Sequence, residues 1–256
     1  MSPPLLEVDR LVMRFGGLTA VQGLSFAVEH GTIHGLIGPN GAGKTTTFNM
    51  VSGFYRPSEG EVRLRGEVIS GLTMHEVARR GVMRTFQHST LFAEMTVLES
   101  ALIGTHVAFR PNIFAAIAGW DREDRRGARA KAEEALDFFG LLHLAHERAG
   151  DLPHGHERAL GMAIAMAAHP DVLLLDEPFT GMNPEETGRM MELMRKLREN
   201  RTTILLVEHD MHAIMGLCDK ITCMSFGRLL AEGGPEEIRS NPEVIEAYLG
   251  GGYHAA

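Results

Sequence analysis

The stretch Gly38-Pro39-Asn40-Gly41-Ala42-Gly43-Lys44-Thr45 matches every fixed position of the phosphate-binding pattern G-x-x-x-x-G-K-[ST]. The apolar run Ile33 to Ile37 precedes it, and Thr46 to Val51 follows with residues that can begin a helix. Glycines let successive backbone N–H groups turn toward phosphate oxygens, and a helix start adds partial positive charge. In such a loop Lys44 reaches the β- and γ-phosphates, and the Thr45 hydroxyl ligates Mg²⁺. The stretch predicts binding of a nucleoside triphosphate rather than an ordinary glycine-rich turn.

A second pattern ends the apolar run Val172 to Leu175 with two adjacent carboxylates, Asp176 and Glu177. A buried parallel strand brings the residues at its carboxyl end to the ligand-binding edge of the sheet. We expect Asp176 to hold the Mg²⁺ shell there and Glu177 to polarise the water that attacks the γ-phosphate. An ordinary acidic pair at a strand end would be the better interpretation only if no phosphate loop lay upstream.

The composition narrows the class of protein. The chain has 256 residues with 44% hydrophobic and 23% charged residues, which is ordinary for a globular protein with a sizeable core. Its formal net charge of −8 argues against a general electrostatic grip on nucleic acid or anionic lipid. The two cysteines, Cys218 and Cys223, fit a reducing cytoplasm. We find no apolar run of the 18 or more residues that a membrane-crossing helix needs, and no signal-peptide pattern.

Strand-like and helical runs alternate, which predicts a parallel sheet covered on both faces. The predicted strands are Leu5–Phe15, Leu24–Val28, Ile33–Ile37, Val62–Leu64, Gly81–Phe86, Val172–Asp176, Thr202–Val207 and Ile221–Ser225. The predicted helices include Arg125–Phe139, Glu157–His169, Glu185–Glu199, His212–Leu217, Pro235–Ser240 and Glu243–Leu249. The section between Met95 and about Leu144 has helical periodicity and separates the two strand-rich parts.

Further residues give the phosphate loop a specific context. Gln87 ends Arg84-Thr85-Phe86-Gln87, His209 follows a strand-like run, and Phe15 lies upstream of the loop. Thr180-Gly181-Met182-Asn183-Pro184 comes just after Glu177. In this order and spacing the chain resembles the ATP-binding-cassette (ABC) ATPases over essentially its whole length. Each residue alone has a plainer interpretation, with Gln87 on the surface, His209 capping a helix and Phe15 in the core.

The resemblance implies an α/β fold with a P-loop NTPase (RecA-like) core, an N-terminal antiparallel β subdomain and an inserted α-helical subdomain. The core would comprise residues 1–87 and 170–256, and the helical subdomain residues 88–169 approximately. The implied catalytic residues are Glu177, His209 and Gln87, and the implied Mg²⁺ ligands are Thr45, Gln87 and Asp176. The implied ATP-binding residues are Phe15, which would stack on adenine, and Gly38, Pro39, Asn40, Gly41, Ala42, Gly43, Lys44, Thr45 and Thr46. Gly155 and His156 would contact the ATP held by an opposite subunit.

One segment departs from the family pattern. The family's signature loop, usually Leu-Ser-Gly-Gly-Gln, aligns with Leu152-Pro153-His154-Gly155-His156. Pro153 has neither the serine hydroxyl nor a backbone N–H, and a missing hydrogen bond to a charged phosphate costs roughly 1.5–3 kcal/mol. We therefore expect the ATP-bound dimer of ATPase subunits to close less tightly across this loop than it does with the usual sequence. Alternatively, His154 and His156 would make this closure pH-sensitive.

Two classes of function fit these motifs, the motor subunit of a membrane transporter and a soluble ABC ATPase of DNA repair or translation. The single cassette, the lack of sustained heptads and the negative net charge favour the transporter. A small-molecule kinase would not explain Gln87, the signature segment or His209.

The closer resemblance is to ATP-binding subunits of bacterial branched-chain amino acid importers. It is carried by segments that include Met13–Gly17, Thr45–Asn49, Arg84–His88, Glu208–Met211 and Asn241–Gly250. The implied partners are a second ABC ATPase subunit, identical or paralogous, two membrane permease subunits and an extracytoplasmic solute-binding protein, with no nucleic acid. The protein would lie at the cytoplasmic face of the inner membrane, attached through the permeases. Related importers carry amides and urea, so the solute stays open.

The resemblance also places a permease contact. The segment His88–Thr96 follows Gln87 and would face a helix of the permease. Leu91, Phe92 and Met95 are the candidate contacts, and burial of these side chains within the helical subdomain is the alternative.

Overall fold

The computed structural model describes residues 3–85, 93–106 and 121–249 of the protein. An antiparallel sheet in the order β2-β1-β4-β5 occupies the N-terminal part. Leu6 of β1 pairs with Val28 on one side and with Leu64 on the other, so their apolar side chains share one buried layer. The strands are β1 Leu6–Phe15, β2 Leu18–Val28, β4 Glu59–Leu64 and β5 Glu67–Val68.

A six-stranded sheet in the order β10-β9-β3-β8-β7-β6 forms the centre of the protein. Its strands run parallel except β10, which pairs antiparallel with β9. All residues of β3, β7 and β8 are buried, as expected for parallel strands covered on both faces. The strands are β3 Ile33–Ile37, β6 Val82–Arg84, β7 Val172–Asp176, β8 Thr203–Val207, β9 Lys220–Ser225 and β10 Arg228–Gly233.

Helices pack around the central sheet and make up most of the described residues between β6 and β7. The described α-helices are α1 Lys44–Val51, α2 Met74–Arg79, α3 Val97–Thr105, α4 Asp121–Phe138, α5 His154–Met166, α6 Pro184–Glu199, α7 Met211–Leu217, α8 Pro235–Ser240 and α9 Pro242–Leu249. Short 3₁₀ turns lie at Leu142–Leu144 and Ala149–Asp151. None of the described helices is long and apolar enough to cross a membrane.

Helices α3, α4 and α5 pack against one another, and α5 also contacts β6. Buried side chains from all three, among them Leu98, Leu136 and Leu160, join the apolar cluster that covers one face of the central sheet. The described helices between β6 and β7 therefore form a layer continuous with the core of the protein.

The predicted strands over Ile33–Ile37 and Val172–Asp176 are confirmed with these boundaries. The helix predicted to begin at Glu157 begins at His154, because the extended backbone of Pro153 (ψ 149°) forms its N-cap. The Glu157 N–H then bonds the Pro153 carbonyl at 3.0 Å. The signature residues Gly155 and His156 consequently lie in the first turn of α5 rather than in the loop before it.

Sequence analysis missed helix α2 and strand β10. Helix α2 begins at a capping box in which the Glu76 N–H bonds the Thr73 hydroxyl and the Thr73 N–H bonds the Glu76 carboxylate. This S/T-x-x-E pattern was available as a signal in the sequence. Strand β10 follows the two-residue turn Phe226-Gly227, which marks a hairpin only once β9 is known to precede it.

Candidate nucleotide-binding site

The phosphate loop connects β3 to α1, so the buried centre of the sheet holds its start. Gly38 (φ 151°) and Gly43 (φ 100°) have backbone conformations that favour glycine. A Cβ at Gly38 would lie 2.2 Å from the Met224 carbonyl oxygen, and one at Gly43 would lie 2.7 Å from the Ala20 oxygen. Both glycines are needed because neighbouring backbone passes this close.

Lys44 is the first residue of α1, and its side chain is buried beneath the loop. Its Nζ donates to the carbonyl oxygens of Gly38 (2.7 Å) and Pro39 (3.1 Å). Burial lowers the pKa of Lys44, whereas Glu177, Cys223 and Asp176 act in the opposite direction. An ammonium group has three donors, so one N–H remains for an oxygen of a bound phosphate.

An open cleft of about 480 Å³ lies over the loop. It brings together the phosphate loop, the helix start and two residues from the neighbouring strand ends. The lining residues are Leu18, Thr19, Ala20, Gln22, Asn40, Gly41, Ala42, Gly43, Lys44, Thr45, Thr46, Glu177, His209 and Phe226. Glu177 and His209, which follow β7 and β8, therefore lie in the same cleft as the phosphate loop.

Asp176 ends β7, and its carboxylate is almost fully buried. Its Oδ2 accepts a hydrogen bond from Nη2 of Arg84 at 2.6 Å. The Arg84 Nη1 donates to Oδ1 of Asn49 on α1, also at 2.6 Å. Arg84 therefore compensates the buried charge and connects Asp176 to the helix that follows the phosphate loop.

The residues present fit a magnesium ion held largely by phosphate. Mg²⁺ in nucleotide sites takes one or two carboxylates together with substrate phosphates and water, rather than a complete protein cage. Within the described ranges no group of three or more His, Cys, Asp or Glu side chains is placed to hold a metal. The buried Asp176 carboxylate and the cleft-lining Thr45 hydroxyl have the oxygen chemistry that such an ion requires.

Glu177 and His209 form a pair in the cleft. The Nε2 of His209 lies 2.8 Å from Oε1 of Glu177, and both side chains are partly exposed to solvent. Glu177 has φ 49°, which is unusual for a non-glycine residue, and its N–H bonds the Val207 carbonyl at 2.8 Å. Strained backbone of this kind is found at functional sites, where surrounding contacts hold it in place.

Glu208 is a buried carboxylate whose structural role was missed in the sequence. Its Oε1 accepts from the Phe179 N–H at 2.9 Å, and its Oε2 accepts from the His209 N–H at 2.7 Å. It thus joins the segments that follow β7 and β8. This role depends on the two strands being neighbours, so its only sequence signal was the carboxylate beside His209.

Three further predictions have different outcomes. Phe15 meets Tyr55 edge-on, with ring centroids 5.3 Å apart, and Leu18 rather than Phe15 lies among the described cleft-lining residues. Gln87 lies outside the described residues. Gly155 and His156 do not line the cleft of their own chain, as far as the structure describes it.

The signature segment packs instead against residues that follow β7. A Cβ at Gly155 would lie 3.0 Å from Oε1 of Glu186, and one at Gly181 would lie 2.8 Å from Nε2 of His154. The start of α5 and the segment before α6 therefore form one surface.

Phe226 was also missed, and it lines the cleft beside the loop with most of its side chain exposed. It has φ 48° in the two-residue turn between β9 and β10. Gln22 holds this turn, because its backbone N–H bonds the Gly227 oxygen and its Nε2 bonds the Phe226 oxygen. The Gly227 N–H in turn bonds the Ala42 oxygen at 3.0 Å, so the turn supports the phosphate loop.

Comparison with known proteins identifies the family. The family model described as ABC transporter matches residues 21–180, and the model of the branched-chain amino acid ATP-binding cassette transporter matches residues 228–254. The high-affinity branched-chain amino acid transport ATP-binding protein LivG of Salmonella typhimurium is 47% identical over 98% of this chain and 99% of its own length. BraF of Pseudomonas aeruginosa, which has the same description, gives the same values.

A solved structure of an ABC transporter ATPase has the same fold as this chain. The ADP conformation of MJ1267, an ATP-binding cassette of an ABC transporter, superimposes with a TM-score of 0.87. It shares 30% sequence identity and covers 97% of this chain and 100% of its own. The predicted α/β cassette fold is confirmed by this match, and the chain belongs to the family of ABC transporter ATPases.

Proposed function

We propose that this chain is the ATP-hydrolysing subunit of a bacterial importer for branched-chain amino acids or a related small polar solute. One observation carries the proposal: a single cleft gathers the phosphate loop with Lys44 and the pair Glu177–His209. The importer role is supported by relatives whose names describe branched-chain amino acid transport and whose lengths this chain spans almost completely. The solute itself is recognised by other chains.

ATP is the proposed nucleotide, and the residues of the phosphate loop bind its phosphates. Backbone N–H groups of the loop and the start of α1 supply partial positive charge, and Lys44 supplies a full one. Thr45 and Asp176 would hold Mg²⁺, which neutralises phosphate charge when bound. Phe15 is the proposed adenine contact, and Gln87 the proposed additional ligand to the metal and water.

Glu177 is the proposed general base for hydrolysis. It takes a proton from water as the water oxygen attacks the γ-phosphorus, and the bond from phosphorus to the bridging oxygen breaks so that ADP leaves with the electron pair. His209, 2.8 Å from Glu177, orients that carboxylate and contacts the γ-phosphate. The strained backbone of Glu177 favours this assignment, because it fixes the carboxylate at the rim of the cleft.

The proposed partners follow from the division of labour within such transporters. A second ATPase subunit, identical or paralogous, would place Gly155 and His156 of one subunit against the ATP of the other. Two permease subunits would hold the pair at the cytoplasmic face of the inner membrane, with a solute-binding protein outside. Residues 88–169 would form the subdomain that meets the permease, and residues 1–87 with 170–256 the nucleotide-binding core.

The variant Glu177→Gln tests the proposed chemistry. We expect it to bind MgATP while hydrolysis falls roughly 10²–10⁴-fold, because an amide cannot accept the proton of water. Binding by isothermal titration calorimetry and phosphate release by the purified chain, alone and with its permeases, are the measurements. Glu185→Gln, the same change on the exposed first turn of α6, is the matched control and should keep the wild-type rate.

Wild-type hydrolysis by Glu177→Gln would show that this residue is not the base. Failure of the wild-type chain to bind MgATP, even beside its permeases, would overturn the proposed function as a whole.

A further inference from the structure

Phe226 is an aromatic residue in the nucleotide cleft that the proposed mechanism does not use. It lines the cleft together with the phosphate loop and Leu18. Its side chain is 86% exposed, more than any other large apolar side chain that the structure describes, and Leu18 follows at 65%. Single exposed apolar side chains are common on protein surfaces, but here the two most exposed ones of the described residues share one ligand cleft.

The backbone of Phe226 provides a second, independent observation. Phe226 (φ 48°) and Gly227 (φ 78°) are the two central residues of the turn between β9 and β10. Turns with positive φ at both central positions favour Asn, Asp or Gly at the first one, because a bulky side chain strains the left-handed conformation. The Phe226 ring therefore strains the turn while remaining almost entirely outside the core. Strain of this kind is characteristic of functional positions.

The turn that carries the Phe226 ring is fixed against the phosphate loop. The Gly227 N–H bonds the Ala42 oxygen at 3.0 Å, and the Gln22 N–H bonds the Gly227 oxygen at 2.7 Å. The Arg228 Nη2 donates to Oε1 of Gln22 at 2.8 Å. The position of the turn relative to the loop is thus set by direct hydrogen bonds. A contact from such a preorganised turn loses less conformational entropy on binding than a contact from a flexible loop.

The lining of the cleft has two chemical parts. The loop amides, Lys44 and Thr45 suit phosphate oxygens, whereas Leu18, Ala20 and Phe226 present uncharged carbon surface. A nucleotide is divided in the same way, because a flat base and a sugar follow its charged phosphates. An aromatic ring can stack on the face of any base or pack against the carbon edge of a sugar. The Phe226 ring therefore suits the nucleoside part of the ligand and not the phosphates.

We propose that Phe226 is a nucleotide-binding residue whose ring packs against the nucleoside part of ATP, with Leu18 completing the apolar contact. This contact adds to the one proposed for Phe15, whose ring meets Tyr55 edge-on with centroids 5.3 Å apart. The inference rests on the proposed function, because it needs the phosphates of a nucleotide in the loop.

The variant Phe226→Ala tests the inference, because it deletes the ring and keeps a side chain on the same backbone. We expect the Kd for MgATP, measured by isothermal titration calorimetry on the full chain, to rise about tenfold, which is typical for loss of one ring that contacts a base. The Kd for magnesium tripolyphosphate, which has no nucleoside, should stay within roughly twofold of the wild-type value.

The matched control is Leu229→Ala, which removes another exposed apolar side chain of the same hairpin. Leu229 is not among the described residues that line the cleft, so both Kd values should keep their wild-type levels.

A second variant separates ligand binding from the stability of the turn. Phe226→Asn introduces a residue that two-residue turns of this kind prefer, so the midpoint of urea unfolding without nucleotide should rise. Its Kd for MgATP should nevertheless increase as in Phe226→Ala. Opposite effects on stability and on binding would support a ring that serves the ligand.

An unchanged Kd for MgATP in Phe226→Ala would overturn the inference, even if the ATPase rate of the assembled transporter fell, because the ring would then contact a partner chain. An equal rise in the Kd for MgATP and for tripolyphosphate would also overturn it, since Phe226 would then act only on the shape of the phosphate loop. Failure of the wild-type chain to bind MgATP would overturn the proposed function itself, and this inference with it.

Discussion

Arg84 has a structural task that can be measured without nucleotide. Its guanidinium compensates the buried Asp176 carboxylate and also holds Asn49, so its removal leaves a buried charge without a partner. Breaking a buried ion pair in this way costs roughly 3–5 kcal/mol. For Arg84→Met we expect the free energy of unfolding, measured by urea denaturation without nucleotide, to fall by about 3 kcal/mol.

Two further variants make the test of Arg84 specific. Adding Asp176→Asn to Arg84→Met removes the uncompensated charge and should restore at least half of the loss in a double-mutant cycle. Arg63→Met breaks an ion pair with Glu61 whose side chains are 41% and 43% exposed, and it should destabilise the protein far less than Arg84→Met, because solvent screens exposed charges. A loss of less than 1 kcal/mol in Arg84→Met would mean that solvent, rather than Arg84, compensates Asp176.

Single residues differed in how well sequence predicted them. Lys44 and Glu177 were predictable because fixed spacing and a preceding buried strand determine where they lie. Glu208 and Phe226 were not, because their contacts join segments that only the order of strands brings together. Phe15 was placed by resemblance alone, and its ring meets Tyr55 in the structure.

Helix α5 begins with a proline at its N-cap, where no side chain accepts a hydrogen bond from the first turn. In Pro153→Ser the new hydroxyl can cap the helix, which stabilises the folded protein by about 1 kcal/mol. Loss of the proline ring destabilises it by about the same amount, because the unfolded chain gains conformational entropy. We therefore expect the free energy of unfolding to stay within about 1 kcal/mol of wild type. In the assembled transporter the hydroxyl can also bond phosphate across the dimer, so ATPase activity should rise on the order of tenfold.

The control for this variant is Pro153→Ala, which restores the backbone N–H but supplies no hydroxyl. An increase in Pro153→Ser alone assigns the effect to the hydroxyl, and an equal increase in both variants assigns it to the N–H. An unchanged ATPase rate in both variants would contradict the prediction that Pro153 weakens closure of the ATPase dimer.

Helices and strands were predicted correctly where the run of apolar or periodic residues was long. Their predicted boundaries were wrong where the true boundary depends on a capping residue. The apolar runs of β3 and β7 determined both strands, since few other structures bury every residue of such a run. The start of α5 was misplaced by three residues because Pro153 can equally belong to a loop or to an N-cap. Helix α2 is six residues long, so its capping box was a stronger signal than its periodicity.

At the scale of the whole molecule, alternating strands and helices predicted the parallel sheet but not the order of its strands. Strands β6 and β7 are neighbours in the sheet although a long connection separates them in sequence. The register that places Val82 opposite Val172 depends on how this connection packs. Local sequence carries no information on this return of the chain. His34 likewise looked like any residue of β3, although it lies where the two sheets meet.

His34 joins three parts of the protein. It belongs to the central β3, its ring stacks on Phe26 of the antiparallel sheet with centroids 5.4 Å apart, and its Nε2 lies 2.8 Å from the Thr222 hydroxyl of β9. Burial, with a smaller effect from Lys220, lowers the pKa of His34 from 6.5 to about 3. The folded protein therefore keeps this imidazole neutral over a range in which the unfolded chain protonates it.

This difference predicts how global stability depends on pH. A lowered pKa in the folded state means that the contribution of His34 is complete above pH 6.5 and is lost as pH falls toward about 3. Below pH 6.5 the unfolded state binds up to one more proton, so the slope due to His34 alone should rise toward about 1.4 kcal/mol per pH unit as pH falls to 5. Urea unfolding between about pH 6.5 and 5, above the range in which carboxylates titrate, measures this slope.

His34→Leu should make the slope shallower by that amount, whereas His30→Leu, which removes an exposed imidazole, should leave it unchanged. Parallel stability curves for wild type and His34→Leu would mean that the imidazole gains a proton without loss of the contact between the sheets.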